Sequence, residues 1–141
     1  MKTGFRKENP NSARREKMAK AVLIIDDSTT MRKIVNRSLR QAGLEFDTVL
    51  EAGDGQAALD ILADQKPDII LSDINMPNMD GLEFLKNKAN DPSIKSIPVV
   101  MVTTEGGSED MVAQAKELGA SGCVKKPFTP DQVNDVLGPL L

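Results

Sequence analysis

From residue 21 onward, five short apolar runs alternate with stretches of helical period, and this alternation restricts the fold more than any other feature of the chain. The runs are Ala21 to Ile25, Phe46 to Leu50, Asp68 to Leu71, Pro98 to Val102 and Gly122 to Val124. Their starts lie 25, 22, 30 and 24 residues apart, the length of a strand plus a crossover helix rather than of a hairpin. Between them, Met31, Ile34, Val35 and Leu39 share one helical face, Ala58, Leu59 and Leu62 a second, and Met111, Val112, Ala115 and Leu118 a third. Ser28, Asp80 and Ser108 stand where N-caps are expected, and Gly43 and Gly119 follow the last periodic residue of their helices. Pro67 and Pro98 open strands, where a missing N–H costs little. Five such repeats predict an α/β fold: one five-stranded parallel sheet, doubly wound, with five helices on its two faces.

The residue types that are missing remove whole classes of chemistry. Among 141 residues there is no histidine, which excludes a histidine metal cluster, a Ser-His or Cys-His nucleophile pair and an imidazole base. The lone Cys123 excludes an internal disulfide and a zinc ribbon, and suits a reducing, cytoplasmic setting. No apolar run approaches the ~18 residues of a membrane span, and the N-terminus lacks the apolar core of a secretory signal.

Charge divides the chain in two. Residues 1–20 carry seven Lys/Arg against two Glu, whereas residues 21–141 carry eleven Lys/Arg against nineteen Asp/Glu. The first twenty residues are almost free of apolar side chains and read as a disordered, basic extension of the domain at 21–141. Two readings stand for it: an arm for nucleic acid, an acidic surface or lipid, or a plain extension ahead of a start near Met18.

In an open parallel sheet, ligands bind beyond the carboxyl ends of the strands. There the chain offers Asp26 and Asp27 after the first strand and Asp73 after the third. Thr103 and Thr104 follow the fourth, and Lys125 and Lys126 the fifth. If the first and third strands are neighbours, three carboxylates converge, and each pair about 4 Å apart repels by roughly 4 kcal/mol at an effective dielectric of about 20. Such a cluster calls for a cation, either a hard divalent ion or a lysine ammonium. All-oxygen ligation suits Mg²⁺ or Mn²⁺ better than zinc, and Mg²⁺ keeps waters and bridges to phosphate. An ionised aspartate is a competent nucleophile toward phosphorus without a base, so Asp73 is the candidate, with Thr103 and Lys126 as donors to the phosphoryl oxygens.

The segments Ile24-Ile25-Asp26-Asp27-Ser28, Ser72-Asp73-Ile74-Asn75-Met76-Pro77-Asn78-Met79-Asp80-Gly81, Met101-Val102-Thr103-Thr104-Glu105 and Lys125-Lys126-Pro127-Phe128 resemble, in order, the motifs of the response-regulator receiver domain. The resemblance runs from about Ala21 to the end. It implies the flavodoxin-like strand order 2-1-3-4-5 and a stand-alone, monomeric phosphorelay protein of the chemotaxis type, without an effector domain or direct DNA binding. By the same resemblance, Asp73 is the phosphoacceptor, supplied by a histidine kinase or phosphotransfer protein. Asp26, Asp27, Asp73 and the backbone carbonyl of Asn75 hold Mg²⁺, Asp26 through water. Thr103 is the switch hydroxyl, Lys126 contacts the phosphate, and the Lys126-Pro127 bond is cis. Asn75 and Glu105 occupy the positions that influence dephosphorylation. The output partner would be a protein such as a flagellar motor switch or a relay protein, reading a surface around the fourth helix, fifth strand and fifth helix.

Cys123 departs from the family pattern, which has an aromatic residue there. It reads as a small residue packed in the last strand, against a redox alternative, and motivates a second hypothesis: a docking module that does not switch on phosphorylation. A third, an aspartate-nucleophile phosphatase, is weakened by Asn75, where a second aspartate would be needed. Gly53 to Ala58 fits G-x-G-x-x-A, but a dinucleotide reading leaves Asp26, Asp27 and Lys126 unexplained, so Gly53 and Gly55 read as a tight turn. Asp80 reads as a helix cap, Lys125 as a solvated charge, and Met76, Met79 and Met101 as packing.

Overall fold

The computed structural model describes residues 20–104, 109–126 and 129–140. The basic extension apart from Lys20, the Ser108 cap, Glu105, Pro127 and Phe128 lie outside the described residues, as do the side chains of Thr104 and Lys126. The strands are β1 (Ala21–Ile25), β2 (Thr48–Ala52), β3 (Ile69–Asp73), β4 (Val99–Thr104) and β5 (Gly122–Lys126). The helices are α1 (Thr29–Gln41), α2 (Gly55–Asp64), α3 (Gly81–Ala89), α4 (Glu109–Glu117) and α5 (Pro130–Leu137), with a 3₁₀ turn at Gly138–Leu140. All neighbouring strands are parallel in the order β2-β1-β3-β4-β5, as expected.

Strands covered on both faces read as continuous apolar runs, and side-chain alternation sends their residues into two separate cores. Leu23, Ile25, Ile70, Val99 and Met101 join Phe84 and Leu85 of α3 on one side. Val22, Ile24, Ile69, Leu71, Val100 and Val102 join Val35 and Leu39 of α1 and Val133 and Leu137 of α5 on the other. Ile34, expected on the buried face of α1, is 42% exposed. Val35 and Leu39, one turn apart, take the buried stripe instead.

Local chemistry sets the helix ends. Ser28 Oγ accepts from Met31 N at 3.1 Å and Asp80 Oδ1 from Glu83 N at 2.8 Å, both as expected. Gly43 and Gly119 have φ of 83° and 105°, the left-handed stop conformation, and the Leu44 and Ala120 amides close back onto Leu39 and Ala115. Thr129 and Gln132 form a reciprocal capping box ahead of α5.

Four of the five strands end or begin elsewhere than the apolar runs suggest. The edge strand β2 starts at Thr48 rather than Phe46, because its register runs Ala21 to Thr48 and Ile25 to Ala52. Phe46 packs from the preceding loop instead, and an edge strand tolerates the exposed Glu51. Asp73 is the last residue of β3 rather than a loop residue. Thr103, Thr104, Lys125 and Lys126 form the final rungs of the β4–β5 ladder rather than following it, Thr103 facing Lys125 and Thr104 facing Lys126.

Candidate functional site

The order β2-β1-β3 puts the ends of β1 and β3 side by side, with Ile25 opposite Ser72. The next residues bring one carboxylate oxygen each from Asp26, Asp27 and Asp73 within 4.8 Å of one another. Asp26 is 3% exposed, Asp27 is exposed and Asp73 intermediate. The group is therefore rooted in the protein and open to solvent on one side. Asp26 is fixed at several atoms: its amide donates to Ala52 O at 3.0 Å, its Oδ1 accepts from Ser28 N at 2.9 Å, and its carbonyl accepts from Arg32 Nη1 at 2.6 Å. Asp73 Oδ1 accepts from the Ile74 amide at 2.8 Å.

This donor set fits a hard divalent ion. Oxygens around Mg²⁺ at about 2.0–2.1 Å stand roughly 3–4 Å apart. A spread of up to 4.8 Å is closed by a small rotation of one carboxylate or by a water between the ion and Asp26. Asn75, two residues past Asp73, is exposed on the loop that follows. Thr103 is 4% exposed, lies on the neighbouring strand one residue beyond the partner of Asp73, and its Oγ1 donates to Val124 O at 3.5 Å. The backbone of Lys126 ends β5 on the same sheet edge, and Lys125 is exposed, as expected of a solvated charge.

The loop after β3 is tied down by contacts that the sequence reading did not anticipate. Asp54 caps α2 through Ala57 N at 2.8 Å and also accepts from Asn78 Nδ2 at 2.9 Å, while Gly55 N donates to Met79 O at 3.0 Å. The Ala57 amide, and next the Asn78 amide, hold the Asp54 carboxyl below its ordinary range. Asn78 has φ of 65°, a conformation asparagine tolerates. Gly55 is the first residue of α2 and closes the expected tight turn, in which only Gly53 and Asp54 separate β2 from the helix. A Cβ there would come within 2.7 Å of Met79 Cγ, so close packing of the two loops is what requires glycine. A Cβ on Gly81 would collide with the Asp73 carbonyl oxygen and stand 2.9 Å from Ile74 Cα. Only Gly lets α3 begin this close to Asp73.

Two more side chains escaped the sequence reading. Arg32 reaches from α1 to the end of β1, with Nε on Glu51 Oε1 at 2.8 Å and Nη2 on Thr29 Oγ1 at 3.1 Å besides its bond to Asp26. Lys88 of α3 is 5% exposed, its Nζ donates to Lys95 O at 2.8 Å, and burial pushes its amine below the ordinary value. Neither had a spacing signal, since each depends on which way a helix face points. Cys123 packs partly buried against the α2–α4 core, as the packing reading expects, and burial pushes its thiol up. Met76 and Met79 pack against the same core, in which Met101 is fully buried. No described helix is long and apolar enough to cross a membrane.

The family model described as the response regulator receiver domain matches residues 22–137. Chemotaxis protein CheY1 of Helicobacter pylori is 40% identical over 119 residues, covering 82% of this chain and 92% of that protein. A CheY homolog from Campylobacter jejuni is 38% identical over 122 residues, covering 83% and 92%. Among solved structures, the chemotaxis protein CheY4 of Vibrio cholerae superimposes with a TM-score of 0.73 at 37% identity, covering 88% of this chain and 99% of that one.

Proposed function

The chain belongs to the response regulator receiver family, and from that membership we propose that it is a cytoplasmic signalling protein whose Asp73 accepts a phosphoryl group from a histidine kinase or phosphotransfer protein in a Mg²⁺-dependent reaction. The observation that carries this reading is the convergence of Asp26, Asp27 and Asp73 at one sheet edge. An Asp73 carboxylate oxygen attacks phosphorus in line. The new O–P bond forms as the P–N bond of the donor's phosphohistidine breaks, and the electron pair leaves on the imidazole nitrogen. Asp26, Asp27, Asp73 and the carbonyl of Asn75 would hold Mg²⁺ (or Mn²⁺), which when bound neutralises charge on the phosphoryl oxygens. Thr103 and Lys126 are the donors to those oxygens, and Thr103 the switch. Catalysis is confined to the protein's own phosphorylation and dephosphorylation.

Output is of the chemotaxis type: the phosphorylated domain, residues 21–141, changes its affinity for a protein target such as a flagellar motor switch or a relay protein. The domain is read as binding no DNA directly and as having no membrane span, and residues 1–20 as a basic extension ahead of it. Incubation with acetyl phosphate and Mg²⁺ is expected to add the mass of one phosphoryl group. Modification that persists in Asp73→Asn, or proceeds equally in EDTA, would sink the assignment. Cys123, half-buried where the family pattern has an aromatic residue, favours a second reading, constitutive docking. That reading predicts partner affinity unchanged by saturating beryllofluoride.

A further inference from the structure

Arg32 uses each of its three guanidinium nitrogens on a different partner. Nη1 donates to the Asp26 carbonyl, Nε to Glu51 on β2, and Nη2 to Thr29 in the first turn of α1. Its side chain is 16% exposed and that of Glu51 47%, so the fork is mostly covered and its far anchor reaches solvent. Because Asp26 N is bonded to Ala52 O and Glu51 is the residue before Ala52, the fork closes a ring through β1, β2 and α1 that includes the backbone of Asp26.

We propose that Arg32 is a positioning residue for the cation site: its fork fixes the backbone of Asp26 and thereby presents the Asp26 carboxylate toward Asp27 and Asp73. This inference rests on the reading of that cluster as a Mg²⁺ site. Charge alone argues the other way, since a guanidinium beside a cation site opposes the ion. The value of Arg32 therefore lies in its geometry. A planar fork with donors in fixed directions spans three acceptors, whereas an ammonium on a flexible stem is a point charge. Groups that orient metal ligands typically contribute tenfold or more to metal affinity.

Arg32→Lys separates the two contributions, because it keeps the charge and loses the fork. Calorimetric titration of the full-length chain with MgCl₂ is expected to give about tenfold weaker binding for Arg32→Lys. Glu51→Gln, whose amide oxygen still accepts from Nε, is expected to stay within about twofold of the parent. If Arg32→Lys does not fold, Thr29→Ala combined with Glu51→Leu removes two anchors and keeps the guanidinium, and should weaken Mg²⁺ binding by about threefold or more. A lower melting temperature without metal, joined to unchanged Mg²⁺ affinity in these variants, marks a purely structural role and overturns the proposal. Equal tenfold losses in Arg32→Lys and Glu51→Gln overturn it too. A parent protein that binds no Mg²⁺ overturns the reading of the site itself, and the inference with it.

Discussion

The two cores on either side of the sheet are built from different materials. The α1/α5 side is composed of Val, Ile and Leu at its buried positions, with Ala42, Leu44, Phe46, Val49, Val136 and Leu140 around them. Among the described residues, the α2–α4 side holds most of the sulfur: Met101 is fully buried in it, with Met76, Met79, Met111 and Cys123 packed against it, whereas α1 carries only Met31. Branched aliphatics interlock in few rotamers, whereas methionine has three soft torsions and adapts to displaced neighbours. Met76 and Met79 belong to the segment directly after Asp73, and Thr103, by strand alternation, lies on the same face as Val99 and Met101. The acidic end thus stands between a fixed platform, which carries Arg32, and an adaptable layer, which receives any movement of the loop after Asp73.

Truncation on the fixed side is expected to cost most. Leu39→Ala, at 1% exposure, is expected to lose about 2–5 kcal/mol in urea unfolding. A loss under about 1 kcal/mol would mean that the α1/α5 core collapses around the cavity and is not fixed. Gly81→Ala tests the junction of α3 with Asp73. Its Cβ meets backbone, which cannot rotate away, so about 1–3 kcal/mol is expected, together with weaker Mg²⁺ binding as the Asp73 carbonyl shifts. Full stability and affinity in this variant would show that the junction has slack. Met101→Leu, on the adaptable side, should cost under about 1.5 kcal/mol although Met101 is fully buried. A penalty equal to that of Leu39→Ala would erase the contrast.

The smallest effect is read in its pH dependence. Burial lowers the folded-state pKa of Lys88 below the ordinary 10.5, so between the two values the unfolded chain binds more protons than the folded one. Stability therefore rises with pH through that window, and the buried ammonium costs stability below it. Relative to Lys88→Met, the parent should gain stability as the pH rises toward the ordinary lysine value of 10.5. A flat difference across that range would mean that the amine is not desolvated in the fold.

What could be read in advance follows from the range of the interaction concerned. Asp26, Asp27 and Asp73 were visible because each terminates an apolar run, and the helix stops at Gly43 and Gly119 because left-handed backbone is a local requirement. Gly53 and Gly55 mark the tight β2–α2 turn as expected, but they do not announce that Asp54 between them caps the helix and binds Asn78. Gly55 also packs against Met79, 24 residues away. Ile34 was placed inside because it fits the period of α1, yet the apolar stripe of that helix is narrower than its apolar content.

Sequence alone determined the α/β alternation, the five helices and strands, and the acids at one edge, since these rest on periodicity, capping and strand polarity within a few residues. Tertiary structure alone decided that the three carboxylates lie within 4.8 Å of one another, that Arg32 bonds the backbone of Asp26 behind them, that Lys88 is buried, and that most of the described sulfur packs on one side of the sheet. Those facts depend on strand register and on the direction of helix faces, which packing between distant segments sets.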